Sequence, residues 1–509
     1  MKHVNILVNK AWLVLVGLLL LSSCNDEQSQ APILDISEMG QAPDVSFVGL
    51  TNDNRIATFN ARSLNNPTDV MMISNLPDGE QIISIDFRPA TGQLYALGAS
   101  SRLYHINELN GRATTLGSGP FEPRLNGANA SIDFNPTVDR IRLVTESGQN
   151  LRLHPELGTV VATDGQISGD NNPRIGAIGY TNSVAGATST LLFDIDFQND
   201  RLFVQDPPND GGLREIGPLG IDFQGVGNFD ISPSNEFSLA VTLVDNESKL
   251  YTINLENGNA TWVGTFNLPI IGLSFKTDPV VFATLTNNSL ARINPSTGAM
   301  STVAIGNLNT GETVTGIDFR PRNGALYGVT NQNRLITINT ANGQVAQVGS
   351  VLSPMIDGAA VGFDFNPLVD RIRLVTNTGQ NLRLHPDLGT VVATDGMLNP
   401  NDPNVTGAAY TNNFDGTTST LLYVIDSESN MLMVQDPPND GVLVARGPLG
   451  IMIGDSNGFD IGGLTDSAYG IFTVGNTTGL YSINLSTGQA TLVRQISSAV
   501  TGMAVGLGF

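Results

Sequence analysis

The sequence predicts an all-β protein: a β-propeller built as two homologous halves of five four-stranded units each. Three observations carry that expectation. Residues 134–165 read FNPTVDRIRLVTESGQNLRLHPELGTVVATDG, and 365–396 return as FNPLVDRIRLVTNTGQNLRLHPDLGTVVATDG. Within each half, an apolar strand of small residues recurs every 45 to 50 residues or so, the span of one four-stranded propeller blade. No long segment carries a 3.6-residue apolar period, whereas 55 glycines and abundant Asn supply the positive-φ positions of tight turns.

Residues 1–23 form a leader and stay outside the fold. Lys2 and Lys10 flank a polar start, and Ala11–Leu20 is an apolar run far shorter than the ~20 residues that span a bilayer. It ends in Leu21-Ser22-Ser23-Cys24, which resembles a bacterial lipobox, so lipidation is expected at Cys24, the chain's single cysteine. Residues 24–42 read as a polar tether. Its Asn25-Asp26-Glu27 resembles the acidic signal that exports some Bacteroidota lipoproteins to the outer surface. The expected location is the bacterial cell envelope, as an outer-membrane lipoprotein facing either side.

The first half occupies 43–275 and the second 280–509, aligned at an offset of 230 to 232 residues. Inner strands are expected at Ile82–Phe87, Ala130–Phe134, Ala177–Thr181, Asn228–Ile231 and Ile270–Phe275. One unit shows the plan: strands at 94–97, 102–107 and 113–116, the last two joined through Asn110-Gly111, a strong hairpin signal. Each half opens with three strands and ends with a lone one, which suits closure by a terminal strand that hides the sheet edges. Two five-bladed rings or one ten-bladed ring both fit. The short linker Lys276-Thr277-Asp278-Pro279 favours the single ring.

The formal net charge is −22, and removal of the leader takes away two lysines and no acid. Only Lys249 and Lys276 remain as lysines. Such a chain repels phosphate backbones, which excludes nucleic acid as a partner. Membrane attachment should come from acyl chains, not from a basic patch.

The DFNP…DRIRLVT…GQNLRLHP…TDG run, followed by VQDPPNDG at 204–211 and 434–441 and by GPLG, resembles a bacterial propeller-related family of unknown function. Members are secreted or cell-envelope proteins with one copy or tandem copies. The resemblance implies fold and location, and brings no catalytic residues.

Three groups of side chains are candidates for chemistry. Asp86, Asp133 and Asp230, with Asp318, Asp364 and Asp460, recur on the inner strands. They would converge in a channel as a cation site or a glycosidase-like carboxylate set, or each would fasten its own following turn. Arg140, Arg142, Arg152 and His154, repeated as Arg371, Arg373, Arg383 and His385, share strand faces by period-two alternation. They would grip a carboxylate or sulfate, or pair with Asp139 and Asp164 and their twins Asp370 and Asp395. Gln205–Gly211 and Gln435–Gly441 are rigid turns rich in oxygen ligands that suit calcium, although calcium needs six to eight such ligands. No other metal or cofactor is expected. The sequence has no GxxxxGK[ST], HExxH, CxxC or GxSxG, so no catalytic residues are expected. The expected function is that of a non-enzymatic envelope lipoprotein that binds a glycan or another envelope protein, or scaffolds, through its loops or channel. The alternative is an extracellular carbohydrate hydrolase using the channel carboxylates.

Overall fold

Forty short strands alternate with tight turns from Ser46 to Val505, and they assemble into ten four-stranded antiparallel sheets. The computed structural model describes residues 39–509 apart from Val226, so the leader, Cys24 and nearly all of the tether lie outside the described residues. Among the described residues no helix is long and apolar enough to cross a membrane. Both halves belong to one unit, Gly40–Phe509.

Each half closes on itself. In the first half, Ile270–Ser274 pairs back onto Ser46–Thr51, with Val48 opposite Ser274 and Leu50 opposite Gly272. In the second, Val500–Val505 pairs with Val281–Leu285. The inner strands of the first ring are therefore Ile82–Phe87, Ala130–Asn135, Ile175–Tyr180, Gly227–Ile231 and Ile270–Ser274, each beside the next around a closed circle. Those of the second are Val314–Phe319, Val361–Asn366, Val405–Tyr410, Gly458–Ile461 and Val500–Val505. The protein is two five-bladed propellers, and the single-ring hint taken from the short linker is corrected. A four-residue connection reads equally well as a crossing between rings, because the pairing of the strand before it decides closure.

Apolar clusters fill the spaces between successive blades. Tyr95 meets Phe134 edge-on at 4.9 Å in the first ring, and Tyr327 meets Phe365 at 5.2 Å in the second. Each buried side chain of this size contributes about 1.5–3 kcal/mol. Close to the axis only small residues fit. In the second ring Gly316, Gly362, Gly407, Gly458 and Gly502 stand side by side; a Cβ on Gly362 would lie 2.6 Å from that of Ala408. The first ring places Ser84, Ser131, Ala177, Asn228 and Gly272 at the matching positions.

The rings meet through turns on the side where the inner strands end. The Arg88 guanidinium donates to Gly324 O at 2.9 Å, the Thr340 hydroxyl to Asp139 at 2.5 Å, and Gly508 N to Thr91 O at 2.8 Å. Thr114 donates to Asp415 at 2.8 Å. The beginnings of the inner strands form the opposite face of each ring, away from these contacts.

Candidate functional site

Strand alternation carries three aspartates into the axis of each ring, near the ends of the inner strands. Asp86, Asp133 and Asp230 have carboxylate oxygens within 4.8 Å of one another, as do Asp318, Asp364 and Asp460, and all six are buried. They reach across to the neighbouring blade as well as to their own. Asp86 accepts from its own Phe87 N and from Phe134 N of the next inner strand, at 2.8 and 2.7 Å. Asp133 accepts from Tyr180 N, and Asp230 from Phe275 N at 2.7 Å. The second ring repeats this with Phe365, Tyr410 and Val505 as donors. These carboxylates stitch successive inner strands together, a wider reach than the fastening of a following turn.

Burial, reinforced by the neighbouring carboxylates, holds Asp86, Asp133, Asp318 and Asp364 well above the usual carboxylate range. Burial raises Asp230 and Asp460 to about 7, against the pull of their backbone donors. Three such groups share protons instead of ionising together. Glycoside hydrolysis needs two differentiated carboxylates facing a substrate, and in each ring the three buried aspartates face one another.

The duplicated motif forms a clasp between the third and fourth blades. Arg142, 2% exposed, donates to Asp164 at 2.6 Å, to Asn150 at 2.7 Å and to Asn209 of the PPND turn at 2.7 Å. Asn150 Nδ2 in turn donates to Pro208 O at 3.0 Å. Arg152 lies on the same Asp164 through two bonds of 2.7 and 2.8 Å. Arg373, Arg383, Asp395, Asn381 and Asn439 reproduce the clasp in the second ring to within 0.1 Å. The two arginines hold Asp164 and Asp395 below the ordinary carboxylate range, outweighing burial.

The other members of the Arg–His group point elsewhere. Arg140 and Arg371 donate to the carbonyls of Asp139 and Asp370. Asp139 itself pairs with the buried Arg88 at 2.5 Å. His154 and His385 accept from the backbone N of Glu156 and Asp387 through Nδ1. Burial, followed by Arg140 and Arg88, pushes His154 down to about 4, so it is neutral at physiological pH. The sequence brings Arg142 and Arg152 together with Asp164 as partner. It does not converge Arg140, Arg142, Arg152 and His154 on one open pocket. In the Gln205–Gly211 turn, Asn209 and Pro208 supply oxygens to the clasp.

The beginnings of the inner strands differ sharply between the rings. In the second, they surround a cavity of about 240 Å³ lined by Thr315, Asn377, Thr406, Asp455, Asn457 and Thr501 among others. That is room for roughly eight waters at about 30 Å³ each. Asn457, 3% exposed, donates through Nδ2 to Thr406 at 2.8 Å and to Gly454 O at 2.9 Å, while its buried Oδ1 has no donor among the described residues. Asn377 accepts from Ala359 N and Ala360 N at 3.0 and 3.2 Å through Oδ1. Asp455 accepts from Asn404 and Ser427 through Oδ1 alone.

In the first ring the aligned positions are Ile83 for Thr315, Gly176 for Thr406, Gly225 for Asp455, Gly227 for Asn457 and Ile271 for Thr501. Ser427, Asn404 and Asn377 become Phe197, Arg174 and Glu146. The Phe197 ring lies against Gly176 and Gly225, where added Cβ atoms would approach it to 2.8 and 3.1 Å. Arg174 sits 4.9 Å over that ring and pairs with Glu146. One mouth is plugged by an aromatic ring under an ion pair, and the other is open and polar.

The sequence model of a domain of unknown function, DUF4394, matches residues 55–274 and again 285–504. The chain belongs to this family. Each DUF4394 copy falls within one ring; the first match leaves out the opening strand Ser46–Thr51 and the second nearly all of Val281–Leu285. No curated protein matches the chain. Among solved structures, the chain is similar to the extracellular domain of a B. thetaiotaomicron protein described as a hybrid two component system. The identity is 13%, the TM-score 0.25, and the match covers 90% of this chain and 70% of that one. A second structure of that extracellular domain, described as a one component system, matches at 12% identity and a TM-score of 0.26 with the same coverage.

Within the two DUF4394 copies, the near-identical stretch forms the interblade clasp, and the mouth is among the places where the copies differ. The sequence marks the clasp arginines and the Gln205–Gly211 turn separately, but not the bond that joins Arg142 to Asn209, nor Asn150, nor the mouth. A position-by-position comparison of the halves would have exposed the mouth through the exchanges of Phe197 for Ser427 and Gly227 for Asn457.

Proposed function

We propose that this protein is a non-enzymatic lipoprotein of the bacterial cell envelope that binds a small ligand at the open mouth of its second ring. The observation that carries the reading is the contrast between the two mouths, set beside a clasp that both rings share. The clasp is the same in both rings atom for atom, while five mouth positions change from glycine or isoleucine to Thr, Asp or Asn. A buried acceptor without a partner costs about 1–3 kcal/mol, and Asn457 Oδ1 carries that cost at the mouth. A ligand that donates to it would recover the loss.

The lipobox-like Leu21–Cys24 supports anchoring by acyl chains, which would hold the rings at a membrane surface. Ligand-observed NMR with a fragment library tests the binding role. Fragments carrying hydroxyl or amide groups should bind the wild type and lose binding when Asn457 is replaced by glycine. Binding indifferent to that replacement would contradict the reading. For the anchor, Cys24→Ala should move the protein from the membrane to the soluble fraction, and unchanged sedimentation with membranes would contradict it.

A further inference from the structure

The polar groups left without a protein partner around the second mouth define the chemistry of what fits there. Two are acceptors: Asn457 Oδ1 and the second carboxylate oxygen of Asp455, whose first oxygen is occupied by Asn404 and Ser427. Two are donors: Asn377 Nδ2, whose partner oxygen is held by Ala359 and Ala360, and the Thr406 hydroxyl, which accepts from Asn457 and has no acceptor of its own among the described residues. Val361 and the two alanines supply a small apolar wall beside them.

Among the described residues no Lys, Arg or His lines the cavity. An anion would meet Asp455 and find no counter-charge. A purely apolar ligand would leave Asn457 Oδ1 unpaired. A hydroxyl group donates and accepts at once, so a ligand with several hydroxyls satisfies both kinds of open group together. We infer that the second mouth takes an uncharged polyhydroxylated ligand: a free sugar, or the terminal residue of a glycan, held by Asn457, Thr406 and Asn377.

This inference rests on the second mouth being a binding site and adds the ligand class. The first ring is its internal control. There Phe197 occupies the approach and Arg174 and Glu146 neutralise each other above it, so no sugar should bind. The cavity holds about one ring, which fits a chain end in preference to an internal segment.

Saturation-transfer NMR on the full chain tests it, with the methyl glycosides of glucose, galactose and mannose as probes. Glucuronate and calcium chloride alone serve as charge controls, and a neutral trisaccharide separates free sugar from glycan end. At least one neutral glycoside or the trisaccharide should bind, and glucuronate should bind at least tenfold more weakly than its neutral counterpart. Asn457→Gly and the shape-preserving Thr406→Val should each weaken binding about tenfold or more, while Glu146→Gln in the first ring leaves it unchanged. Thermal unfolding of each variant shows whether the fold is retained, and Thr406→Val carries the test if Asn457→Gly unfolds. Binding of calcium or glucuronate alone, sensitive to Thr406→Val, would overturn the ligand class and leave the site standing. Absence of any binding, or neutral-sugar binding indifferent to both substitutions, would overturn both.

Discussion

Replacing Arg142 by methionine keeps an unbranched apolar stem and deletes one guanidinium from the interblade clasp. The structure sets the size of the effect. Arg142 and Asp164 are 2% and 6% exposed, so solvent screens their 2.6 Å pair very little. Loss of one partner of such a pair typically costs about 3–5 kcal/mol. Arg152 still faces Asp164 after the change and keeps its charge compensated, which puts the expectation near the lower figure, about 3 kcal/mol. Asn150 and Asn209 each lose a donor as well. Arg152 is 35% exposed on the same carboxylate, so Arg152→Met should cost about 1 kcal/mol or less. Trp262 is the one tryptophan among the described residues and lies in the first ring, so its fluorescence during urea unfolding reports that ring. Arg142→Met should lower the stability read by Trp262 by about 3 kcal/mol. The equivalent Arg373→Met should act comparably on the second ring, seen by circular dichroism. A cost below 1 kcal/mol for Arg142→Met, or one no larger than for Arg152→Met, would refute the clasp as the reason for the duplicated motif.

Other consequences are equally open to measurement. Asp194 is fully buried with both carboxylate oxygens unpartnered, and burial raises it well above the usual range; the second ring has Val424 at the same position. Asp194→Val should therefore stabilise the first ring by about 1–3 kcal/mol in urea unfolding, and a loss of stability would count against a neutral, unpaired carboxyl. Asp230 titrates near 7 in the folded ring against an ordinary 3.8, so the folded state binds the extra proton between those values. Its contribution, shared with Asp86 and Asp133, is greatest below about pH 4 and is lost as pH rises through about 7. Asp230→Asn should flatten that part of the pH–stability curve, and an unchanged slope would show the group to be ionised throughout. Gly362→Ser, which copies Ser131 of the first ring, should destabilise the second ring by about 1–3 kcal/mol because its Cβ meets Ala408. Denaturation of that variant at wild-type urea concentrations would disprove the tight axis.

Much of the fold was legible because its signals are local. The inner strands were placed to within about two residues by their small apolar composition, and Asn110-Gly111 and its relatives marked the hairpins. Ring number was not legible. It depends on whether Ile270–Ser274 pairs with a strand over 200 residues earlier or joins a continuing circle, and those strands look alike in sequence. The same distance effect hid half of the clasp. Arg142 and Asp164 are close neighbours in the chain, but Asn209 comes from the next blade, 67 residues on. The aspartates were recognised as a repeated inner-strand feature; their bonds to the following blade depend on ring curvature, which no single strand encodes. The open mouth escaped notice because the search followed what the halves share, whereas the site is built from what they do not.

The most direct test of the account is a crystal structure of the protein grown with the methyl glycoside that binds best in solution. The account predicts sugar density in the second ring, between Asn457 and Asn377 and within reach of Thr406, with nothing bound over Phe197 in the first. Density over Phe197, or between the two rings with the second mouth empty, would contradict it.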